Sequence, residues 1–174
     1  DANQSFVGIG LLNGGLELFN KDGSYHAGIR PETSRINVVY GTALSSQSND
    51  IGIVHGIDPQ YLSLYRMEGT GFQLLHQIEI NDPARSQALI KFSPDGNFVL
   101  CETSEKVRLL SSKEPFEQVS LSVEGKIVDF VFVPTLGSVF ILADENDNSV
   151  LYIFSESGRL FSKETFYGQP EWLS

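Results

Sequence analysis

The amino-acid sequence predicts an all-β chain built from four-stranded antiparallel units in series, and three observations carry that reading. Helical periodicity is nearly absent from the 174 residues, which show short alternating runs of Val, Ile, Leu, Phe and Tyr divided by Gly, Asn, Asp, Ser and Pro. One pattern, apolar-any-apolar-apolar, recurs as Leu16-Glu17-Leu18-Phe19, Leu62-Ser63-Leu64-Tyr65, Val107-Arg108-Leu109-Leu110 and Leu151-Tyr152-Ile153-Phe154, at steps of 46, 45 and 44 residues. The segments around each copy keep the same order.

Each unit reads as strands a, b, c and d. Strand a is expected over 36–40, 88–92 and 128–133, and the first unit has none. Strand b follows over 6–11, 51–55, 98–102 and 139–143, and the recurring pattern is strand c. Asn13-Gly14 joins b to c in the first unit as a hairpin dipeptide, because both residues tolerate positive φ. Polar turns at Asp22-Gly23, Glu68-Gly69, Lys113-Glu114 and Glu156-Ser157-Gly158 lead into strand d over 25–29, 72–80, 116–123 and 160–166. The units span approximately 5–30, 35–80, 87–123 and 127–167, leaving 168–174 where a further or closing strand would begin. Four strands at this step are the signature of propeller blades, so the expected fold is a β-propeller of four-stranded antiparallel blades with about four present.

The segment Phe92-Ser93-Pro94-Asp95-Gly96-Asn97 resembles the first hairpin of WD40-like propeller repeats, where strand a ends in F-S-P-D-G. Phe132-Val133-Pro134 with Leu136-Gly137 is a weaker copy, 40 residues later. No Gly-His dipeptide precedes a blade and no Trp-Asp closes strand c, so the chain resembles a divergent member. That resemblance implies a scaffold that docks proteins through its loops and blade edges. Residues 6–65 are also similar to the opening blades of β-propeller phytases, through Gly15-Leu16-Glu17-Leu18-Phe19 with Asp22-Gly23 and through Arg35-Ile36-Asn37-Val38-Val39-Tyr40-Gly41. This second likeness implies a calcium-dependent phosphohydrolase with an acidic channel, here incomplete in acidic pairs and lysines. A translation-initiation-type propeller that holds RNA-bound partners is a third reading, without support from charge.

Two readings of closure follow. Residues 168–174 supply strand a to the first blade and close a four-bladed ring, or the four units belong to a larger propeller. The second is preferred, because the repeats begin and end inside a blade and most WD40-like propellers exceed four blades. The remaining blades would then come from a parent chain or another subunit.

Charge and composition narrow the partners. There are 12 Lys and Arg against 22 Asp and Glu, a net charge of −10, which opposes unaided attraction to nucleic-acid phosphate or an anionic membrane. Apolar content of 41% with 20% charged residues fits a folded chain and excludes a disordered one. A single Cys excludes an internal disulfide framework and a multi-Cys zinc site. No apolar run reaches 18 residues, so no membrane-spanning helix is expected. Asp1-Ala2-Asn3-Gln4 carries no signal-peptide pattern and no initiator Met, as in a chain processed or cut from a longer one. A soluble, intracellular setting is favoured, though the compartment stays open. Asn3-Gln4-Ser5 fits a glycosylation triplet of a kind that arises often by chance.

Candidate chemistry is sparse. Asp144-Glu145-Asn146-Asp147-Asn148 imitates the start of a calcium loop, but Ser149 replaces the required Gly and Ser155 the closing Glu, which excludes an EF-hand. A weaker calcium site on Asp144, Asn146 and Asn148 stands beside the favoured reading, a solvated b–c turn. Gly8-Ile9-Gly10 lacks the third Gly and the helix of a dinucleotide site. His26, His55 and His76 sit on separate strands without metal-ligand spacing, and Cys101 reads as a small buried apolar residue. No catalytic set emerges, and no cofactor other than calcium is suggested. In a propeller the d–a and b–c loops share one face. The d–a loops place Arg30, Glu32, Arg35, Asp82, Arg85, Glu124 and Lys126 there, and the b–c loops place Asp58, Tyr61, Glu105, Asp144, Glu145 and Asp147. Arg and Tyr among acids suit recognition of a protein or peptide, a basic one above all.

Overall fold

The structure is a computed structural model that describes residues 6–11, 15–31, 38–57, 59–80, 88–103 and 106–167. Its strands are β1 (Phe6–Gly10), β2 (Leu16–Asn20), β3 (Tyr25–Ile29), β4 (Val39–Leu44), β5 (Asp50–His55), β6 (Gln60–Glu68), β7 (Gly71–Ile80), β8 (Ile90–Phe92), β9 (Phe98–Glu102), β10 (Val107–Ser111), β11 (Gln118–Leu121), β12 (Lys126–Val133), β13 (Ser138–Glu145), β14 (Asn148–Ser155) and β15 (Leu160–Tyr167). A 3₁₀ turn, Pro134–Leu136, joins β12 to β13. The strands form four antiparallel sheets in chain order: β1 to β3, β4 to β7, β8 to β11 and β12 to β15. The fold is therefore all-β with four-stranded blades, the first sheet having three strands among the described residues. No helix among the described residues is long and apolar enough to cross a membrane.

The recurring strand-c pattern explains how the sheets stack. Its first and third residues face the following sheet and its fourth faces the preceding one. Leu16 and Leu18 pack with Ile51, Ile53 and Tyr65 between the first and second sheets. Leu62 and Leu64 pack with Val99, Cys101 and Leu110 between the second and third. Val107 and Leu109 pack with Val139, Ile141 and Phe154 between the third and fourth. Each such Leu or Val, once fully buried, stabilises the stack by about 1.5–3 kcal/mol. A strand buried on both faces must be apolar at both parities, which is why strict alternation gives way to a third apolar residue.

Several strands differ from their expected bounds by a few residues. In the second sheet strand a is Val39–Leu44, whereas 36–40 was expected, and residues 36 and 37 lie outside the described set. Its partner explains the displacement: Val39 pairs with His55 and Leu44 with Ile51, so the strand must run to Leu44 before Ser45 N–H bonds Asp50 O at 2.9 Å. Gly41 is required in the strand because a Cβ there would lie 2.2 Å from Ala88 O, just before β8. The third strand d is Gln118–Leu121, shorter than 116–123.

The Ser93-Pro94-Asp95-Gly96 hairpin is assembled by its own side chains. Ser93 Oγ donates to Asp95 Oδ1 at 2.6 Å and accepts from Phe98 N at 2.9 Å, while Asp95 Oδ1 accepts from Asn97 N at 3.0 Å. Gly96 takes φ +72°, and its N–H donates to Ser93 O at 2.9 Å. Ser112 Oγ then donates to Gly96 O, tying the turn to the end of β10.

Candidate functional site

Register brings the d–a and b–c connections to one end of each sheet. In the fourth sheet Lys126, which opens strand a, pairs with Asp144, which nearly ends strand b. Arg30 is exposed just beyond β3, beside the end of β2 that follows the b–c turn of the first sheet. Tyr61 is half-buried near the start of β6, Asp144 and Glu145 are half-buried, and Asp147, Glu124 and Lys126 are exposed. Arg35, Asp58, Asp82, Arg85 and Glu105, with Glu32, lie outside the described residues, as do Asn13-Gly14 and 168–174.

The acidic stretch 144–148 closes as a two-residue hairpin. Asn146 and Asp147 take φ 52° and 66°, and Glu145 pairs with Asn148 across the turn. Asn and Asp tolerate this left-handed pair, which matches the twist of the flanking strands. Among the described residues, no three His, Cys, Asp or Glu side chains group closely enough to hold a metal ion.

Four side chains converge beside this hairpin. The Tyr152 hydroxyl donates to Glu145 Oε1 and accepts from the Glu124 backbone N–H at 3.2 Å. Lys163 Nζ donates to Glu124 Oε2 at 2.8 Å and Glu145 Oε2 at 3.1 Å, and lies 5.0 Å from the Tyr152 ring centroid. The bond from Lys163 holds the Glu124 carboxyl below its usual range, and the same bond with those of Tyr152 and Glu145 raises the Lys163 ammonium. Burial, then the bond to Glu145, raises the Tyr152 phenol. Glu124, Tyr152 and Lys163 are thereby held in their ordinary charge states near neutral pH. The cluster links a d–a loop, a b–c turn and strands c and d of the fourth sheet. Glu124 and Glu145 are predicted face residues that it unites, whereas Tyr152 and Lys163 lie in strand interiors, where no local pattern marks them.

The second sheet holds a buried polar group near the same end. His55 Nε2 and Ser63 Oγ are 2.8 Å apart, and Gln77 Nε2 donates to Ser63 Oγ at 2.9 Å. Burial lowers His55 to about 4, so it is neutral at pH 7. His55 and Ser63 are both 0% exposed, so this Ser–His pair offers no nucleophile to solvent. His26 lies against Phe6 at 4.4 Å and His76 stacks on Phe116 at 4.6 Å, so the histidines are not brought together.

Nearer the axis, Ala88 N–H donates to Tyr40 O at 2.9 Å, joining the inner strands of sheets two and three beside a groove of about 390 Å³ lined in part by Thr42 and Lys91. Lys91 Nζ bonds Asp129 Oδ1 at 2.5 Å and Phe130 O at 3.0 Å, joining sheets three and four. An acid within the apolar run 127–133 was the sequence signal for this pair.

Comparison with known proteins agrees with the architecture. An uncharacterized protein of Treponema pallidum is 22% identical over 149 residues, covering 86% of this chain and 39% of that protein. The hydrazine synthase of Kuenenia stuttgartiensis superposes with a TM-score of 0.68 at 13% identity, over 95% of this chain and 47% of that one. A functionally unknown protein of Desulfotomaculum acetoxidans superposes with a TM-score of 0.69 at 14% identity, over 94% and 52%. These structural likenesses show the fold alone, and the chain spans about half or less of each of these proteins. A family model described as beta-propeller protein matches residues 2–174. Sequence period, sheet order and this match agree: the chain belongs to the beta-propeller protein family.

Proposed function

We propose that the chain is a non-catalytic docking part of a larger propeller, and that its d–a and b–c end receives a protein segment carrying basic residues. The supporting observation is the acidic rim. Glu124 has a side chain 79% exposed and Asp147 is exposed, while Glu145, Tyr152 and Lys163 behind them are committed to one another. Groups locked in this way suit presenting a charged surface better than cycling protons. The net charge of −10 steers a cationic segment toward such a rim and repels polyanions. Arg30 at the same end of the first sheet adds the bidentate donor that would orient a carboxylate or carbonyl of that segment.

The test is anisotropy of a labelled Lys/Arg-rich peptide titrated with the chain at low and high salt. Charge reversal by Glu124→Lys with Asp147→Lys is expected to weaken binding at least ~tenfold, about 1.4 kcal/mol. Unchanged affinity removes the rim from the proposal. Calcium-dependent release of phosphate from phytate by the same preparation would replace it with the phytase-like reading.

A further inference from the structure

A strand at the margin of a sheet keeps one row of backbone N–H and C=O groups unpaired, and proteins blunt such edges by shortness, charge or proline. The outer strands of the four sheets differ in this respect. β3 and β11 have five and four residues, and β15 carries Lys163 and Glu164 at its centre. β7 has ten residues, no Lys, Arg or Pro, and a single acid, Glu79, next to its end. It hydrogen-bonds β6 on one edge and no strand on the other among the described residues. The second sheet packs on a neighbour at each face, so this edge does not depend on what precedes the first sheet or follows the fourth. A bulge at Leu75, where Leu64 pairs with His76 and Tyr65 with Leu74, divides the edge into two regular runs.

The side chains along β7 determine what can lie beside it. Leu74, Gln77 and Glu79 pair with Tyr65, Ser63 and Tyr61, alternate residues of β6, and so share one face. Leu74 is 48% exposed, Glu79 is exposed, and Gln77 between them is tied to Ser63 Oγ at 2.9 Å. The row therefore presents an apolar side chain toward one end and an acid at the other. Glu68, exposed and paired with Gly71, adds a second acid at the hairpin end.

We propose that the outer edge of β7 takes an extended segment of a partner protein as a fifth strand, with an apolar residue of that segment on Leu74 and a basic one on Glu79. Backbone pairing supplies the affinity, and the two side chains supply direction and choice of partner. Charge selects this occupant: the strand holds an acid and no cation, on a chain of net charge −10. A second copy of the chain would instead bring another −10 and a second bulge against the same edge. This site is separate from the acidic rim of Glu124 and Asp147.

The probe is a labelled peptide of alternating valine and threonine with arginine at one end, titrated by anisotropy against the full chain. Saturable binding is expected. Glu79→Lys and Leu74→Lys, both at exposed positions, should each weaken it at least ~tenfold while far-UV circular dichroism is unchanged. Glu79→Gln and Leu74→Gln serve if either variant fails to fold. Glu124→Lys with Asp147→Lys should leave binding within about twofold, which separates this edge from the rim. Two peptides N-methylated on alternate residues, one set for each peptide edge, should differ at least ~tenfold, because only one edge faces β7. Bound peptide should slow amide exchange at alternate residues of β7 and leave β11 unchanged. Amides of β7 that are all as protected in the free chain as those of β5 overturn the proposal, since the edge is then already covered. A peptide that fails to bind, N-methylated peptides that bind alike, an equal loss in the Glu124 and Asp147 variant, or two-chain particles joined through β7 overturn it as well.

Discussion

Replacing Lys91 by Met tests how the third and fourth sheets are held together near the axis. The Asp129 side chain is 5% exposed and that of Lys91 38%, so the carboxylate is the group that depends on its partner. Met preserves the aliphatic stem that lies toward the Phe130 ring, and it removes only the ammonium. Asp129 is then left with the Phe130 N–H at 2.8 Å as its remaining bond among those described. Stranding one member of a fully buried pair costs about 3–5 kcal/mol. Lys91 is more than a third exposed, so water relieves part of that, and the loss of a charge-assisted bond sets the scale at ~2 kcal/mol. For a chain of this size that lowers Tm by about 4–8 °C. Urea unfolding followed by circular dichroism measures it directly. Adding Asp129→Asn to Lys91→Met should recover most of the loss, giving a coupling of ~1–2 kcal/mol in the double-mutant cycle. A loss for Lys91→Met below about 0.5 kcal/mol, or strictly additive losses, would refute the pair as a joint between sheets.

Three further perturbations probe other levels of the structure. Gly41→Ala drives a Cβ to 2.2 Å from Ala88 O and should cost ~2–3 kcal/mol, whereas Gly71→Ala, which meets only Glu68 O at 3.5 Å, should stay within ~0.5 kcal/mol; equal urea midpoints would exclude the close approach. Ser93→Ala removes a donor to Asp95 and an acceptor for Phe98 N together, so a stability loss of ~1–2 kcal/mol is expected, and a neutral result would mean the hairpin is held by Gly96 alone. His55 titrates at about 4 when folded, against an ordinary 6.5. Between those values the unfolded chain takes up a proton that the folded chain refuses, so stability falls as pH drops from 6.5 toward 4, by roughly 3 kcal/mol at the end of that window. His55→Gln should flatten that part of the stability–pH curve, and an unchanged slope would assign the dependence to other groups.

The repeat was legible because a sheet buried on both faces imposes its requirement on every copy of strand c. Leu62-Ser63-Leu64-Tyr65 and its three counterparts carry that requirement in four consecutive residues. Strand a was less legible. Val39–Leu44 is interrupted by Gly41, whose small size answers to Ala88, just before β8, a contact that no local pattern records. At the candidate site, Glu124 and Glu145 stood out because acids at turns are conspicuous. Tyr152 and Lys163 did not, because cross-strand pairing alone brings residues 11 apart in sequence into contact. The link from Lys91 to Asp129 spans two sheets and depends on the angle between them, which periodicity does not encode.

Because each sheet hydrogen-bonds only consecutive strands, and each apolar cluster is shared by two neighbouring sheets, the array is a one-dimensional system. Its cooperativity should then be that of nearest neighbours, with an intrinsic cost per sheet and a coupling per cluster. Among the described residues, the second and third sheets are each coupled on two sides, the first and fourth on one. Opening of this array should therefore begin at its outer sheets and advance inward as a front, the first sheet leading because it has the fewest paired residues to lose among the described residues. Amide exchange read strand by strand would trace that front, with the slowest protons in β5, β6 and β9. Closing the array on itself or on a neighbour would abolish the front, converting stepwise fraying into a single all-or-none transition.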